Sequence, residues 1–460
     1  MSEFNIPERR KEYSITSAVI SSDRLGQGVL VDIRGVIVQF EIYEHINKPY
    51  ITAKFFLVDH NDVFEGIDFL GGEKLELSIQ HSEEQSTALE LKKTFLIDKV
   101  EFVTKTDERT ESVVIHCTEF HVYASSLQNV SRCYKGSPSS MIQKILDEYL
   151  DKSLAIVGDD DLNNLKVIVP NMHPLEACMW IKNRVTTRDG LPFYFFSALG
   201  LDNLVLKDLQ TMLTQVPINI DSPFIYAPSI NATQSEFPKF YTIEEFTIAS
   251  TDDLLSLIRS GVVGASYEFY NTSTGLPTPV KFNVDDVFKN LSQQQALGGN
   301  NNRYVFGPEY KLNDKPISTY ESKSITQISS IGAYSSRTSF RSYNEELTEG
   351  GHRKKINAAA LTQFLAKSPI EITVRAREFI TGDRNYTIGK TIRVVFLDNS
   401  EGDQTAVTFD TKKSADYIIC AAKHSFMNQK AVTQLICGKL GYFGQEFELW
   451  VIMEIAHVGL

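Results

Sequence analysis

The residues of this 460-residue chain with types suited to nucleophilic or metal chemistry are five cysteines, nine histidines and a run of three aspartates. Metal binding needs ligands whose spacing brings lone pairs to one point, as in H-E-x-x-H on a helix or paired C-x-x-C. Cys117, Cys133, Cys178, Cys420 and Cys437 are odd in number and include no C-x-x-C. Several fall in apolar strand-like or helical stretches, which predicts buried free thiols of a reducing compartment. His116 and His121 flank a strand end with no Cys partner, and His116 reads as structural. Asp159, Asp160 and Asp161 lack the D-x-[DN]-x-[DN]-G spacing and the distal Glu of a calcium loop, so a solvated turn is expected. The adjacent Glu345 and Glu346 would point apart on a helix or a strand, not across a scissile bond. Gly26 and Gly28 lack the third glycine, lysine and helix of a phosphate loop, and they read as a turn. Trp180 and Trp450 have no neighbouring basic stripe on which bases would stack, so core packing is their expected role. No catalytic residue, metal or cofactor is expected, and the chain reads as a non-enzyme.

With the chemistry thin, the elements carry the information. The length allows about two to four domains with their own cores, and 42% hydrophobic residues fit a folded chain. No apolar run approaches the roughly 18 residues of a membrane span, and the N-terminal MSEFNIPERRKEYS lacks the apolar core of a signal peptide. No membrane anchor is expected. The formal net charge of -12 argues against a chain that grips nucleic-acid phosphates, which takes clustered Lys and Arg. It still allows a polyanion to slide past without sticking.

From residue 28 the pattern is strands, with β-branched and aromatic residues in GVLVDIRGVIVQFEIYEH and PYITAKFFLVDHND. Leu75, Leu77 and Ile79 alternate with Glu76, Ser78 and Gln80, which gives one dry and one wet face. Six strands by residue 120 predict a closed barrel or a sandwich. The period then changes: Met141, Ile142, Ile145, Leu146 and Tyr149 share a helical stripe, with Ser137 as cap and Pro138 in the first turn. A second helix opens on Pro174, and GLPFYFFSALGLDNLVLKDL predicts a hairpin turning at Gly200 to Asn203. Residues 212–240, with four prolines, read as a boundary or long connection. TDDLLSLIRSG is a short helix capped by Ser250 or Thr251 and ended by Gly261. Residues 291–303 read as a low-complexity surface loop, and 353–367 as a helix ending before Pro369.

The last ninety or so residues echo the first strand region. NKPYITAKFFLVD matches KSPIEITVRARE, FLGGEKLELSIQ matches TIGKTIRVVFLD, FLIDKVEFV matches YIICAAKHSFM, and SVVIHCTEF matches AVTQLICGK. The four segments recur in one order at nearly the same separations, which predicts an internal duplication. In both copies a glycine, Gly72 or Gly389, precedes a strand, as a tight turn of positive φ or a bend at a sheet corner requires.

Three stretches, GLPFYFFSALGLDNLVLKDLQTML, TDDLLSLIRSGVVGASYEFYN and SIGAYSSRTSFRSYNEE with its following helix, occur in an order that resembles the central hub protein of contractile-tail (T-even-like) phage baseplates. The resemblance runs from about residue 12 to the end, and it is weakest at 286–320 and 398–413. It implies an α+β, mainly β chain with two similar tube-type β-barrel domains and an inserted mixed α/β region. The expected boundaries are a first barrel at 10–130, a middle domain at 131–237, a second barrel at 238–285 with 368–460, and an insertion with helical connector at 286–367.

The family implies a homotrimer whose six barrels form a pseudo-sixfold ring, placed in the virion tail baseplate and assembled in the host bacterial cytoplasm. Its implied partners are a central spike protein, a tail tube or tube-initiator protein and a tape measure protein, with DNA passing through the channel without specific binding. Two readings of residues 329–346 stay open. Tyr334, Phe340 and Tyr343 anchor a connector whose Arg337 and Arg341 face acidic neighbours, or the stretch is a surface loop whose aromatics pack locally. The alternatives to the hub are the hub part of a type VI secretion or extracellular injection spike and, from another class, a cell-wall-acting hydrolase.

Overall fold

The computed structural model describes residues 12–22, 30–60, 63, 71–81, 90–105, 110–158, 165–226, 241–248, 254–271, 275–293, 311–329, 349–366, 369–380, 386–398, 408–410 and 413–440. Seven strands come first: β1 (Tyr13–Ser21), β2 (Leu30–Asp32), β3 (Ile37–His45), β4 (Thr52–Asp59), β5 (Lys74–His81), β6 (Leu91–Lys105) and β7 (Glu111–Glu119). They pair antiparallel in the order β3-β4-β7-β6-β5-β1-β2. Strict alternation drives this, since Ala53, Phe55 and Leu57 of β4 and Leu75, Leu77 and Ile79 of β5 are all buried while their neighbours are not.

The middle of the chain is mixed, as its change of period predicts. Helix α1 (Phe120–Ser126) continues directly from β7, where a strand alone was expected. It is followed by β8 (Cys133–Gly136), α2 (Pro138–Tyr149), β9 (Leu154–Val157), β10 (Leu165–Ile168), α3 (Pro174–Lys182), β11 (Phe193–Phe196), β12 (Leu204–Asp208) and α4 (Leu209–Thr214). The Ser140 N–H donates to Ser137 Oγ at 3.3 Å, with Pro138 at the first helical position, so the expected cap of α2 is present. β11 and β12 form the expected antiparallel hairpin, and β9 adds to β12 in parallel. Met141, Ile142, Ile145 and Leu146 of α2 pack with Cys178 and Ile181 of α3 in a core of their own.

The remainder holds β13 (Phe224–Tyr226), β14 (Glu245–Ile248), α5 (Leu254–Ser260), β15 (Gly264–Asn271), β16 (Pro277–Asn283), α6 (Val284–Gln293), β17 (Lys311–Leu312), β18 (Lys315–Pro316) and β19 (Ser324–Ser329). Then come α7 (Glu349–Leu365), β20 (Ile370–Arg375), α8 (Arg377–Ile380), β21 (Thr391–Asp398), β22 (Thr408–Phe409), β23 (Ala415–Met427) and β24 (Lys430–Gly438). α5 ends at Gly261, whose φ is +83°, as the C-terminal signal predicts. Its expected caps Ser250 and Thr251 lie outside the described residues. α6 starts the stretch expected to be a loop from residue 291 and runs to Gln293. β15 and β16, expected in the second barrel, pair with each other and with β19 in a separate 3-stranded sheet.

The fold is mainly β, and its two halves meet in one 14-stranded sheet of order β14-β20-β24-β23-β3-β4-β7-β6-β5-β1-β2, with β21 branching from β23 and carrying β13 and β22. The sequence leads to two separate barrels. Among the described residues no pairing closes a ring in the first half, whereas in the second Ile225 of β13 bridges Thr242, just ahead of β14, and the Ile243 N–H donates to Ile225 O at 2.9 Å; the halves run into each other through β3 and β23.

The pairing order itself repeats. In the first half it is β3-β4-β7-β6-β5, and in the second it is β14-β20-β24-β23-β21. The four segments matched in sequence are β4, β5, β6 and β7 against β20, β21, β23 and β24, so each occupies the same place in both orders. The core of the first half is sealed by the second, since Ala376 just ahead of α8, Ile380 of α8, and Phe426 and Ala431 of the β23–β24 hairpin pack into it.

Candidate functional site at the junction of the two halves

β6 and β23 each carry a bulge at one equivalent point. Against β7, the register of β6 steps from Ile97 to Lys99, leaving Asp98 out; against β24, that of β23 steps from Ile419 to Ala421, leaving Cys420 out. The residue before each bulge binds the corner glycine. Gly72 N–H donates to Ile97 O and Ile97 N–H to Glu73 O, both at 2.8 Å. Gly389 N–H donates to Ile419 O at 2.8 Å and Ile419 N–H to Lys390 O at 2.9 Å. Both glycines have positive φ, +88° and +73°, a region that costs other residues energy.

Matching the bulges corrects two details of the sequence alignment. Ile97 faces Cys117 and Ile419 faces Cys437, so these cysteines are equivalent, whereas the sequence match set Cys117 against Ile436. Ala53 and Ile370, which face those cysteines, are equivalent too, whereas the match of Pro49 with Pro369 set Ala53 against Thr373. The prolines mark where strands begin and not their register, and the consecutive apolar Leu435, Ile436 and Cys437 hide the parity that fixes the face.

The seam joins β3 to β23 antiparallel, with Phe40 opposite Phe426, Ile42 opposite His424 and Glu44 opposite Ala422. The Phe40 and Phe426 rings stack at 4.3 Å, and Tyr13 meets Phe426 edge-on at 5.1 Å. On the opposite face Lys423 Nζ lies 2.9 Å from Glu41 Oε1 and 5.8 Å from the Tyr43 ring centre. Burial pushes the Glu41 carboxyl up, but the hydrogen bond donated by Tyr43 and the Lys423 ammonium outweigh it and hold it below its ordinary value.

Three buried polar contacts lock the middle region to this seam. Glu44 is 4% exposed and His424 1%, a burial that charged or polar groups tolerate only when partnered. Glu44 Oε1 is 2.8 Å from His424 Nε2, and its Oε2 accepts from the Leu199 N–H at 2.6 Å. His424 Nδ1 is 2.9 Å from Thr433 Oγ1. Beside it, Lys93 Nζ donates to Leu201 O at 2.8 Å and to Ala198 O and Glu119 Oε1 at 3.4 Å. The turn at 198–201 is thus held by a carboxylate on its N–H side and an ammonium on its carbonyl side.

The third contact is at Gly389. Lys207 Nζ donates to Gly389 O at 2.8 Å and to Gln215 Oε1 at 2.7 Å, and Thr391 Oγ1 donates to Met212 O at 2.7 Å. Burial lowers Lys207 to about 8, with Lys390 adding to the fall and Asp208 opposing it. A Cβ at Gly389 would come within 2.9 Å of Phe196 Cζ, whereas one at Gly72 would meet nothing within 4 Å. The two corners share a backbone but not an environment, since only the second is covered by the middle region.

These side chains can bind backbone and orient strands. Among the described residues no group of three or more His, Cys, Asp or Glu could hold a metal ion. His116 sits at an exposed cluster, 2.8 Å from Glu101, which Lys54 also approaches at 2.9 Å. Those two donors, His116 first, pull Glu101 down to about 2. His121 is buried and hydrogen-bonded to Pro49 O at 2.7 Å. Cys117, Cys178 and Cys437 are buried free thiols, while Cys133 is exposed and Cys420 intermediate. Arg184 lies 3.7 Å over the Trp180 ring. Tyr334, Arg337, Phe340, Arg341 and Tyr343 lie outside the described residues, as do Glu345, Glu346, Asp159 to Asp161, Gly26, Gly28 and Trp450. Among the described residues no helix is long and apolar enough to cross a membrane.

The sequence reading missed Glu44, Lys93, Glu119 and His424, although one signal marks them. Each falls on the apolar parity of its strand, after Phe40 and Ile42, between Leu91 and Phe95, after Ile115 and Cys117, and between Ala422 and Phe426.

No protein-family model matches the chain, and no curated protein matches it. Among solved structures, the prophage MuSo2 43 kDa tail protein from Shewanella oneidensis matches with a TM-score of 0.50 at 9% identity, over 94% of this chain and 100% of that one. A tail protein from Neisseria meningitidis MC58 matches with a TM-score of 0.49 at 13% identity, over 94% and 98%. The prophage tail protein gp18 from Listeria monocytogenes EGD-e matches with a TM-score of 0.45 at 10% identity, over 96% and 99%. Over that 94% the chain shares the fold of the Shewanella prophage tail protein, which agrees with the phage-tail resemblance of its sequence.

Proposed function

We propose that this chain is a structural protein of a contractile phage tail, a baseplate hub that acts by surface complementarity and not by catalysis. Three copies, each contributing two similar tube-type barrel units, form a pseudo-sixfold ring. One side of the ring meets the tail tube or its initiator, and the other meets a central spike of threefold symmetry. The channel passes the tape measure protein and then DNA, for which an acidic chain of net charge -12 offers no grip. The ring is placed in the baseplate of the virion, after assembly in the host cytoplasm.

One observation carries this reading: the strand order β3-β4-β7-β6-β5 returns as β14-β20-β24-β23-β21, with the same bulge and the same corner glycine. A chain with two equivalent units can satisfy a sixfold neighbour with three copies and a threefold neighbour with the same three. The fold shared with a prophage tail protein supports the setting. Native mass spectrometry of the purified chain, alone and with a candidate spike protein, tests it. A trimer is the expected species, and absence of turnover on peptidoglycan is expected alongside. A chain that stays monomeric under both conditions, or one that degrades peptidoglycan, would overturn the proposal.

A further inference from the structure

We infer that the cleft between β8, β10 and α2 is a modification site, in which Cys133 meets a small disulfide carrying carboxylates, such as glutathione disulfide, and keeps one half of it as a mixed disulfide. Each chain carries its own cleft, so this site does not depend on the ring.

The cleft is open to solvent and holds about 730 Å³, within the range of about 300–1,000 Å³ typical of small-ligand sites. Its lining carries four cations, Arg132, Lys135, Lys144 and Lys166, against two carboxylates, Asp147 and Glu148, in a chain whose formal net charge is -12. Both carboxylates are engaged, Glu148 in an ion pair with Arg132 and Asp147 as acceptor from Gln143 Nε2. Lys135 stands directly opposite Lys166 in the β8–β10 ladder, a placement that like charges oppose and that an anion beside them would relieve. The wall also holds Tyr134, 5% exposed. Its hydroxyl is buried with no hydrogen-bond partner, since Tyr149 approaches without closing a bond. A carboxylate in the cleft would satisfy that unmet donor.

Cys133 belongs to the same lining and is the exposed one of the five cysteines. Alternation along β8 puts it on the face of Lys135. Burial raises the thiols of Cys117, Cys178, Cys420 and Cys437, and the protonated thiol is not the nucleophile. The cations around Cys133 draw in an anionic reagent and repel a cationic one.

The step is thiol–disulfide exchange. The Cys133 thiolate attacks one sulfur of the incoming disulfide, a bond forms between them, and the S–S bond of the reagent breaks. The other half leaves as a thiolate and takes up a proton equal to the one Cys133 released to solvent. The incoming disulfide is therefore the oxidant, and one half of it departs reduced.

The test compares glutathione disulfide with cystamine, a cationic disulfide, on the parent chain at low salt. Each rate is taken relative to that with a small free thiol, and peptide mass spectrometry identifies the modified cysteine. Glutathione disulfide should react at Cys133 faster than cystamine by about tenfold or more, and added salt should narrow the gap. Lys135 and Lys144 are exposed, so Lys135→Glu/Lys144→Glu leaves the core untouched and should reverse the preference. Equal rates on the parent chain, a mixed disulfide formed first at another cysteine, or a preference unchanged in the double variant would overturn the inference.

Discussion

Replacing each corner glycine with alanine separates what the two repeats share from what they do not. At Gly72 the added methyl group meets nothing within 4 Å, so the cost is that of holding alanine at a φ of +88°, roughly 1–2 kcal/mol. At Gly389 the φ of +73° costs about as much, but the methyl group would lie 2.9 Å from Cζ of Phe196, inside the contact distance of about 3.5–4.0 Å between carbons. Phe196 is 2% exposed and sits on β11, so its ring has little room to retreat. Met212 Cε, at 3.4 Å, is the more yielding neighbour. Overpacking of this kind adds about 1–3 kcal/mol, and the smaller unfolded-state entropy of alanine cancels between the two variants. The difference of about 1–3 kcal/mol corresponds to roughly a 5- to 150-fold ratio. Amide hydrogen exchange reads it locally, because Ile97 N–H donates to Glu73 O at one corner and Ile419 N–H to Lys390 O at the other. Gly389→Ala should speed exchange at Ile419 by that factor more than Gly72→Ala speeds it at Ile97. Equal effects, or a larger effect at Ile97, would refute the claim that only the second corner is covered.

Three further outcomes follow from the junction. Glu44→Ala strands His424 and the Leu199 N–H in a buried site, and thermal unfolding should show a loss of about 3–5 kcal/mol; a change within about 0.5 kcal/mol would mean the pair is dispensable. Phe426→Ala removes the ring stacked on Phe40 and should cost about 3–5 kcal/mol, with a lower urea midpoint as the readout; a midpoint equal to that of the parent would contradict the packing described. Lys207 titrates at about 8 in the folded chain against 10.5 ordinarily. As pH falls from 10.5 to 8 the unfolded chain takes up this proton and the folded chain does not, so stability drops across that window and levels off below it. Lys207→Met should flatten that part of the melting-temperature profile, and an unchanged slope would show that burial does not perturb this lysine.

The sequence made the β-rich class, the two middle helices with their prolines, the hairpin at 193–208 and the order of the repeated segments legible. Each rests on local pattern: alternation in β4 and β5, a helical stripe in α2, a turn at Gly200. The single sheet running through both halves was not legible, because the pairing of β3 with β23 joins residues far apart and nothing local encodes it. Register failed where two or more apolar residues run together, as at Ile436 and Cys437, and where prolines outside the strands were used as anchors. Within the junction, Gly72 and Gly389 could be read because a positive φ leaves a glycine in the sequence. Glu44 and His424 could be located only by noticing a charged or polar residue on an apolar parity, and their partnership is a tertiary fact.

The central claim is that one sheet-building unit occurs twice per chain so that three chains present six. A density map of the purified assembly, by electron cryomicroscopy at a resolution that separates strands, tests it most directly. The account predicts a closed ring of three chains in which the four-strand unit β4-β7-β6-β5 and the unit β20-β24-β23-β21 alternate at equal radius around the axis. A ring with the two units at different radii, or an assembly in which one of them turns away from the axis, would contradict it.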